Sequence, residues 1–178
     1  MKSLTIAVIG ANGKSGKAFV DAASKVGMNL RAGVHSTHSF SENENLKIFH
    51  CDALNKKDIV KLTKNCDVIV SLIGHSRHSP KHLQTTAIRH MLEAMETNGI
   101  SRIISLTGTG VQFDGDTPTA IDKIANAIIS RIDPNRIEDG KMHAEVLKNS
   151  HVDWTILRVL KLTNAAYEKK KVSMGIHS

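Results

Sequence analysis

The sequence predicts an α/β fold, a doubly wound parallel sheet in one domain, and three observations lead there. A short apolar run over residues 4–9 leads straight into Gly10-x-x-Gly13-x-x-Gly16, and a helical pattern follows at once. Beyond it, apolar runs of strand length keep alternating with helical patterns, the order that gives parallel strands joined by right-handed crossovers. One of those runs, residues 67–73, is apolar at nearly every position rather than at every second one. A strand buried on both faces needs that composition.

The elements follow in order. The first helix is expected to carry Phe19, Ala22, Ala23 and Val26 on one face, with Gly27 as its stop. Residues 30–34 read as the second strand and residues 46–50 as a short third. Asn55 has an N-cap side chain, with Asp58 three residues on, and opens a helix to about Lys64. The apolar run at 67–73 is the fourth strand. A helix over residues 82–97 stops at Asn98-Gly99, and residues 102–106 form the fifth strand. A glycine- and threonine-rich loop, 107–117, precedes a helix at 119–132 that ends at Asp133-Pro134; another helix spans 138–149. Residues 153–159 are the next strand, and 170–176 a last edge strand.

Strand, glycine turn and helix together are the context of a dinucleotide-binding fingerprint. Gly10 permits the tight turn, Gly13 lets backbone approach a pyrophosphate, and Gly16 lets the helix lie close to the strand. The helix start offers N–H groups and a positive dipole end to phosphates, with Asn12, Lys14 and Ser15 in the same loop. Gly13-Lys14-Ser15 looks like the end of a P-loop. That motif needs a second glycine five residues before Gly13, where the chain has Val8. The plainer alternative is a glycine-rich turn that binds nothing.

At 178 residues the chain can bury a full core. No apolar run reaches membrane-spanning length, and the start shows no signal-peptide pattern. Cys51 and Cys66 have no metal or redox spacing and are expected to be reduced, small apolar residues in a cytosolic protein. A net charge of +7 raises the question of nucleic acid, but only Lys169-Lys170-Lys171 forms a basic run and aromatic residues make up 3% of the chain. The dispersed charge fits a solvated surface that attracts a phosphorylated cofactor; neither a nucleic-acid nor a membrane partner is expected.

Three segments resemble the NmrA-like, atypical short-chain dehydrogenase/reductase group, including its flavin reductase/biliverdin reductase B type. They are Gly10-Ala-Asn-Gly-Lys-Ser-Gly16, Arg102-Ile-Ile-Ser-Leu-Thr-Gly-Thr-Gly110, and the stretch from Glu145 through Trp154 and Arg158 to Leu162-Thr163. The resemblance covers nearly the whole chain and implies a Rossmann-like, NAD(P)-binding domain over residues 1–178. Departures are visible. Val159 follows Arg158 where such proteins usually have Pro, and relatives commonly continue into a further helix. Tyr167 and Lys171 have Tyr-x-x-x-Lys spacing but follow the Trp154 strand, so they are rejected as a catalytic pair; the helix before that strand holds Lys141-Met-His-Ala-Glu145 instead.

The second strand ends toward Arg31, His35, Ser36, Thr37 and His38, with no acid until Glu42. NAD enzymes place an acid there and NADP enzymes a cation, so NADP is expected, contacted by Arg31 or His35, with NAD as the alternative. The resemblance further implies that Asp52 and Ala53 lie against the adenine, and that Leu72, Ile73 and Gly74 form a backbone platform beneath the cofactor. It also places Thr107 near the nicotinamide. His143 is read either as orienting a substrate or delivering a proton, or as an exposed helix residue. His75, His78 and His82, with Arg77 and Lys81, read as a polar rim over the cleft rather than a metal site. Arg158, in an apolar strand, needs a partner such as Glu145 or Asp139.

These readings converge on a reductase passing hydride from NAD(P)H to a small, flat acceptor such as a flavin or quinone. The alternatives are a non-catalytic NAD(P)-sensing regulator acting through a protein partner and, less well supported, a sugar-nucleotide isomerase or epimerase. A homodimer over residues 167–176 is also expected, because a doubly wound sheet needs cover on both faces.

Overall fold

The computed structural model describes residues 3–74, 79–108, 111 and 120–159. In chain order it contains β1 (Thr5–Ile9), α1 (Lys14–Lys25), β2 (Asn29–Val34), β3 (Leu46–His50), α2 (Lys56–Thr63) and β4 (Val68–Ser71). These are followed by α3 (Leu83–Asn98), β5 (Arg102–Gly108), α4 (Ala120–Ile132), α5 (Pro134–Lys148) and β6 (Asp153–Val159). The strands form one sheet in the order β3-β2-β1-β4-β5-β6, parallel at every pairing. The chain steps outward from β1 to β3, then restarts on the other side of β1. That reversal between β1 and β4 is a topological switch point, where open α/β sheets take ligands. The expected doubly wound parallel sheet is therefore observed.

Strand alternation divides the core. Val8 of β1 and Leu30, Ala32 and Val34 of β2 face α1, whose inward stripe is Gly16, Val20 and Ala23. Ala22 and Val26, expected on that stripe, are exposed. Val26 is the C-cap, and the chain turns away at Gly27 with φ of 73°. On the opposite face, Ala7, Ile9, Ile69 and Ile103 meet Ile59 and Leu62 of α2, the apolar side of α3 and Leu147 of α5.

Local chemistry sets most boundaries. Asn55 caps α2, its side chain accepting from the Lys57 N–H. Gly99, with φ of 69°, ends α3. Helix α5 starts at Pro134, four residues earlier than expected. Asp133 is its N-cap, accepting from the Arg136 N–H, and proline at the first helical position has no N–H to waste. β4 is shorter than the apolar run around it because residues 72–74 leave the ladder. Both cysteines are free and buried. Burial pushes the Cys51 thiol up to about 12 and the Cys66 thiol up to about 11, which keeps both protonated and unreactive. Among the described residues, no helix is long and apolar enough to cross a membrane. The expected edge strand at 170–176, the proposed dimer region, and Leu162, Thr163, Tyr167 and Lys171 lie outside the described residues.

Candidate functional site

The glycine loop is built by backbone contacts. Gly10 has φ of 79°, and a Cβ there would sit 3.0 Å from the Leu72 carbonyl carbon and oxygen. Gly16 is tighter still, since a Cβ would come within 2.2 Å of the Gly10 oxygen and 2.5 Å of the Ala11 oxygen. The helix crosses the loop at backbone contact, as the third glycine of a dinucleotide fingerprint permits. Gly13 is different. A Cβ there would meet only the Gly10 oxygen, at 3.3 Å, so the residue looks outward. Gly13 is the N-cap of α1, no side chain caps it, and the first turn has no acidic residue. The positive end of α1 therefore has no negative side chain from its own first turn. Lys14 is exposed and Ser15 half-buried in that turn.

Asn12 ties this loop to the chain leaving β2. Its Nδ2 donates to the Thr37 carbonyl at 2.8 Å and lies 3.4 Å from the Ser36 hydroxyl. Its Oδ1 is buried and has no partner among the described residues. An orphaned acceptor beside an uncapped helix start and an outward-facing glycine suits a ligand that brings both anionic oxygens and hydroxyl donors. The expected loop residues Gly10, Asn12, Gly13, Lys14, Ser15 and Gly16 are thus brought together.

Arg31 corrects an expectation. Alternation along β2 turns it away from α1 and toward α2. Its Nε donates to the Leu62 carbonyl at 2.7 Å and its guanidinium to the Lys61 carbonyl at 2.9 Å, while it stacks over Phe49 at 4.0 Å. A crossover helix runs antiparallel to its strands, so the last turn of α2 lies at the edge where the strands begin. Arg31 caps that turn and does not stand at the mouth where β2 ends. His35 does stand there. Its Nε2 is 4.0 Å from Asp52 at the end of β3, and its ring lies 6.1 Å from that of His50. Asp52 also accepts from the Leu54 N–H, and the Ala53 carbonyl is approached at 3.3 Å by Nδ1 of His90 on α3.

The segment leaving β4 lies against the glycine loop. The Leu72 N–H donates to the Ile9 carbonyl at 2.9 Å, and the Ile73 carbonyl accepts from Nε2 of Gln84 at 2.8 Å. A Cβ on Gly74 would meet nothing within 4 Å. Leu72, Ile73 and Gly74 form a backbone shelf at the switch point. Among the rim histidines, His75 and His78, with Arg77, lie outside the described residues; His82 is the left-handed N-cap residue of α3, with φ of 58°.

At the far end of the cleft, the side chains expected to act are enclosed. Thr107 on β5 is 4% exposed. A Cβ on Gly140 of α5 would come 3.1 Å from its hydroxyl, so the Thr107 side chain faces that helix. His143 lies one turn deeper, 1% exposed, with Nε2 2.9 Å from the Ser105 hydroxyl. Burial pushes it down to about 4, against a smaller opposing pull from Asp139. It is neutral near pH 7 and is neither an exposed helix residue nor open to the cleft. Asp139 is fully buried, and its carboxylate accepts from the Gln84 and Thr85 N–H groups at the start of α3. The expectation that singled it out concerned Arg158, which donates to the Val111 carbonyl at 3.1 Å. Gln84 was not anticipated. The clue was an α3 start with no capping residue of its own.

Comparison with known proteins gives the family and the fold. The family model for NAD(P)H-binding proteins matches residues 10–176. No curated protein matches the chain at a significant level. Solved structures share the fold. A short-chain dehydrogenase/reductase from Veillonella parvula, in complex with NADP, superposes with a TM-score of 0.71 at 16% identity, covering 88% of this chain and 69% of that one. An oxidoreductase from Lactococcus lactis gives 0.68 at 18% identity, covering 87% and 68%. An anaerobillin reductase from Escherichia coli O157:H7 gives 0.64 at 19% identity, covering 86% and 71%.

Proposed function

The chain belongs to the NAD(P)H-binding family, and from that premise we propose that it is a reductase that passes hydride from NADPH to a small, flat acceptor such as a flavin or quinone. The observation that carries the reading is the loop from Gly10 to Gly16, with its outward-facing Gly13, uncapped helix start and orphaned Asn12 oxygen. The pyrophosphate would be held by the first turn of α1 with Asn12, Lys14 and Ser15, and the adenine side by His35, Asp52 and Ala53. The shelf at Leu72, Ile73 and Gly74 would run beneath the cofactor on its nicotinamide side. When bound, the nicotinamide supplies the hydride, and the protein supplies orientation and exclusion of water.

The choice of acceptor follows from the enclosed end. Thr107 and His143 are buried on the α5 side, and His143 is neutral near pH 7. An acceptor that spreads negative charge over a ring system needs no strong acid beside it. The same burial supports a second reading, an NAD(P)-sensing regulator without turnover. NADPH over NADH rests on the chain leaving β2, where Val34 is followed by His35, Ser36, Thr37 and His38 and no acid. A homodimer near residues 167–176 is supported by Leu157, 45% exposed on β6, the outermost strand among the described residues.

One experiment separates the readings. NADPH and NADH are titrated by nicotinamide fluorescence, then offered with a panel of flavins and quinones. Sustained oxidation of NADPH is expected; tight binding without turnover supports the regulator, and no binding of either nucleotide refutes both.

A further inference from the structure

We propose that Asp139 is a positioning residue for the nicotinamide half of the cofactor, acting through the start of α3 and Gln84 on the shelf that follows β4. The inference rests on the cofactor reading above.

Asp139 is 0% exposed. A buried carboxylate is retained only where hydrogen bonds and charge compensate its lost hydration. Here three of the compensating hydrogen bonds come from a helix start on another element. Asp139 Oδ2 accepts from the Gln84 N–H at 2.8 Å, and Oδ1 from the Thr85 N–H at 2.9 Å and the Thr85 hydroxyl at 2.6 Å. The first N–H groups of any helix lack partners within it, and α3 cannot satisfy its own. Its N-cap residue, His82, makes no side-chain cap, and its first turn carries no acid. The cap that a neighbouring Ser or Asp usually supplies arrives instead from α5, more than fifty residues later.

This cap fixes where Gln84 begins, and the Gln84 side chain carries the constraint onward. Its amide nitrogen donates to the Ile73 carbonyl at 2.8 Å. A carbonyl only accepts, so the amide can face it only nitrogen first. Ile73 follows Leu72, which is held from the other side by the Ile9 carbonyl and by the close approach of Gly10. The shelf is therefore clamped between β1 and Gln84, and Gln84 is clamped by Asp139. The shelf lies at the switch point. The adenosine half of a dinucleotide lies over β2 and β3, where His35 and Asp52 stand, and the nicotinamide half over β4 and β5. Loosening the Gln84 side of the shelf should disturb the nicotinamide half selectively.

The test measures both halves separately. Wild type, Gln84→Met and Asp139→Asn are titrated with NADPH and with adenosine 2′,5′-bisphosphate, which carries the adenosine half alone. Gln84→Met keeps the length of the side chain and the cap on α3 but removes the donor. It should weaken NADPH about fivefold, the equivalent of one hydrogen bond, and leave the bisphosphate within about twofold. The emission of bound NADPH should shift as well, a readout that a loss of stability alone does not move. Asp139→Asn should act in the same direction and more strongly; if it does not fold, Gln84→Met still decides. Unchanged NADPH affinity in folded Gln84→Met, or a parallel loss of both ligands, overturns the proposal. Wild type that binds neither ligand overturns the cofactor reading beneath it.

Discussion

The loop between β1 and α1 is shaped by backbone, and the junction of β5 with α5 by side chains. In the loop, carbonyl oxygens of Gly10 and Ala11 lie where a Cβ on Gly16 would need to be, and the exposed Gly13 presents main chain rather than a side chain. At the junction, Thr107 packs against Gly140, Ser105 against His143, and Asp139 against the start of α3. The two regions lie at the same edge of one sheet, yet respond differently to change. Where backbone meets backbone, as at Gly10 and Gly16, no added atom is tolerated. A side-chain junction tolerates shape changes but not a change of charge.

The sharpest way to break the backbone site is Gly16→Val. The added Cβ would fall 2.2 Å from the Gly10 oxygen, and main chain cannot swing aside as a side chain can. A loss of about 3 kcal/mol or more is expected, measured by urea denaturation. Retention of wild-type stability would show that α1 can shift away from the loop.

The junction should fail by charge, and acid is the lever. Burial pushes His143 from its ordinary 6.5 to about 4, so in this window the unfolded chain binds a proton that the folded chain refuses. Acidification then favours unfolding. The penalty begins as pH falls through 6.5 and is complete below about 4, reaching at most roughly 3 kcal/mol. His143→Gln, which can still meet the Ser105 hydroxyl, should flatten that part of the stability–pH curve. An unaltered acid limb in the variant would mean that His143 is not its source.

How far each region was legible in the sequence follows from the same difference. Gly10 and Gly16 were readable because no other residue fits where backbone meets backbone, so the requirement is written in residue identity, and Gly13 because it completes their spacing. The parallel sheet was readable because strand and helix periodicities alternate cleanly. Arg31 was misread for want of a partner. Leu30, Ala32 and Val34 set the parity of β2, but nothing local says that the last carbonyls of α2 lie on the other side. Helix α5 was the hardest. Its buried stripe is Asp139, Gly140, His143, Ala144 and Leu147, so hydrophobic periodicity hardly marks which side faces inward. Its start was missed because Asp133-Pro134 reads equally well as an end and as a capped beginning.

A third substitution separates binding from folding within the glycine loop. Gly13 has φ of −68° and only one contact at 3.3 Å awaiting a Cβ, so Gly13→Val should fold with little loss of stability. Its side chain would project where a pyrophosphate must lie against the start of α1, and NADPH affinity should fall by more than about tenfold. Equal affinity in wild type and variant, followed by nicotinamide fluorescence, would remove Gly13 from the site.

The smallest effect expected is on cofactor choice at Arg31, and it is the most direct test of how β2 is read. Arg31 donates to Lys61 and Leu62 and stacks on Phe49, so Arg31→Met should lower stability by about 1–2 kcal/mol. The ratio of NADPH to NADH affinity should not move, because the guanidinium serves the end of α2 at the edge where strands begin. Discrimination should instead rest on exposed groups at the other edge, His35 and the Ser36–His38 stretch with Lys14 of the glycine loop. Raising salt from about 0.05 M to about 0.5 M should then weaken NADPH more than NADH, since the additional contact is charged and solvent-facing. Measuring both affinities in both proteins at both salt concentrations decides the matter. A tenfold drop in the NADPH preference of Arg31→Met, about 1.4 kcal/mol, would return the arginine to the cofactor and place the 2′-phosphate on the α2 side of the sheet.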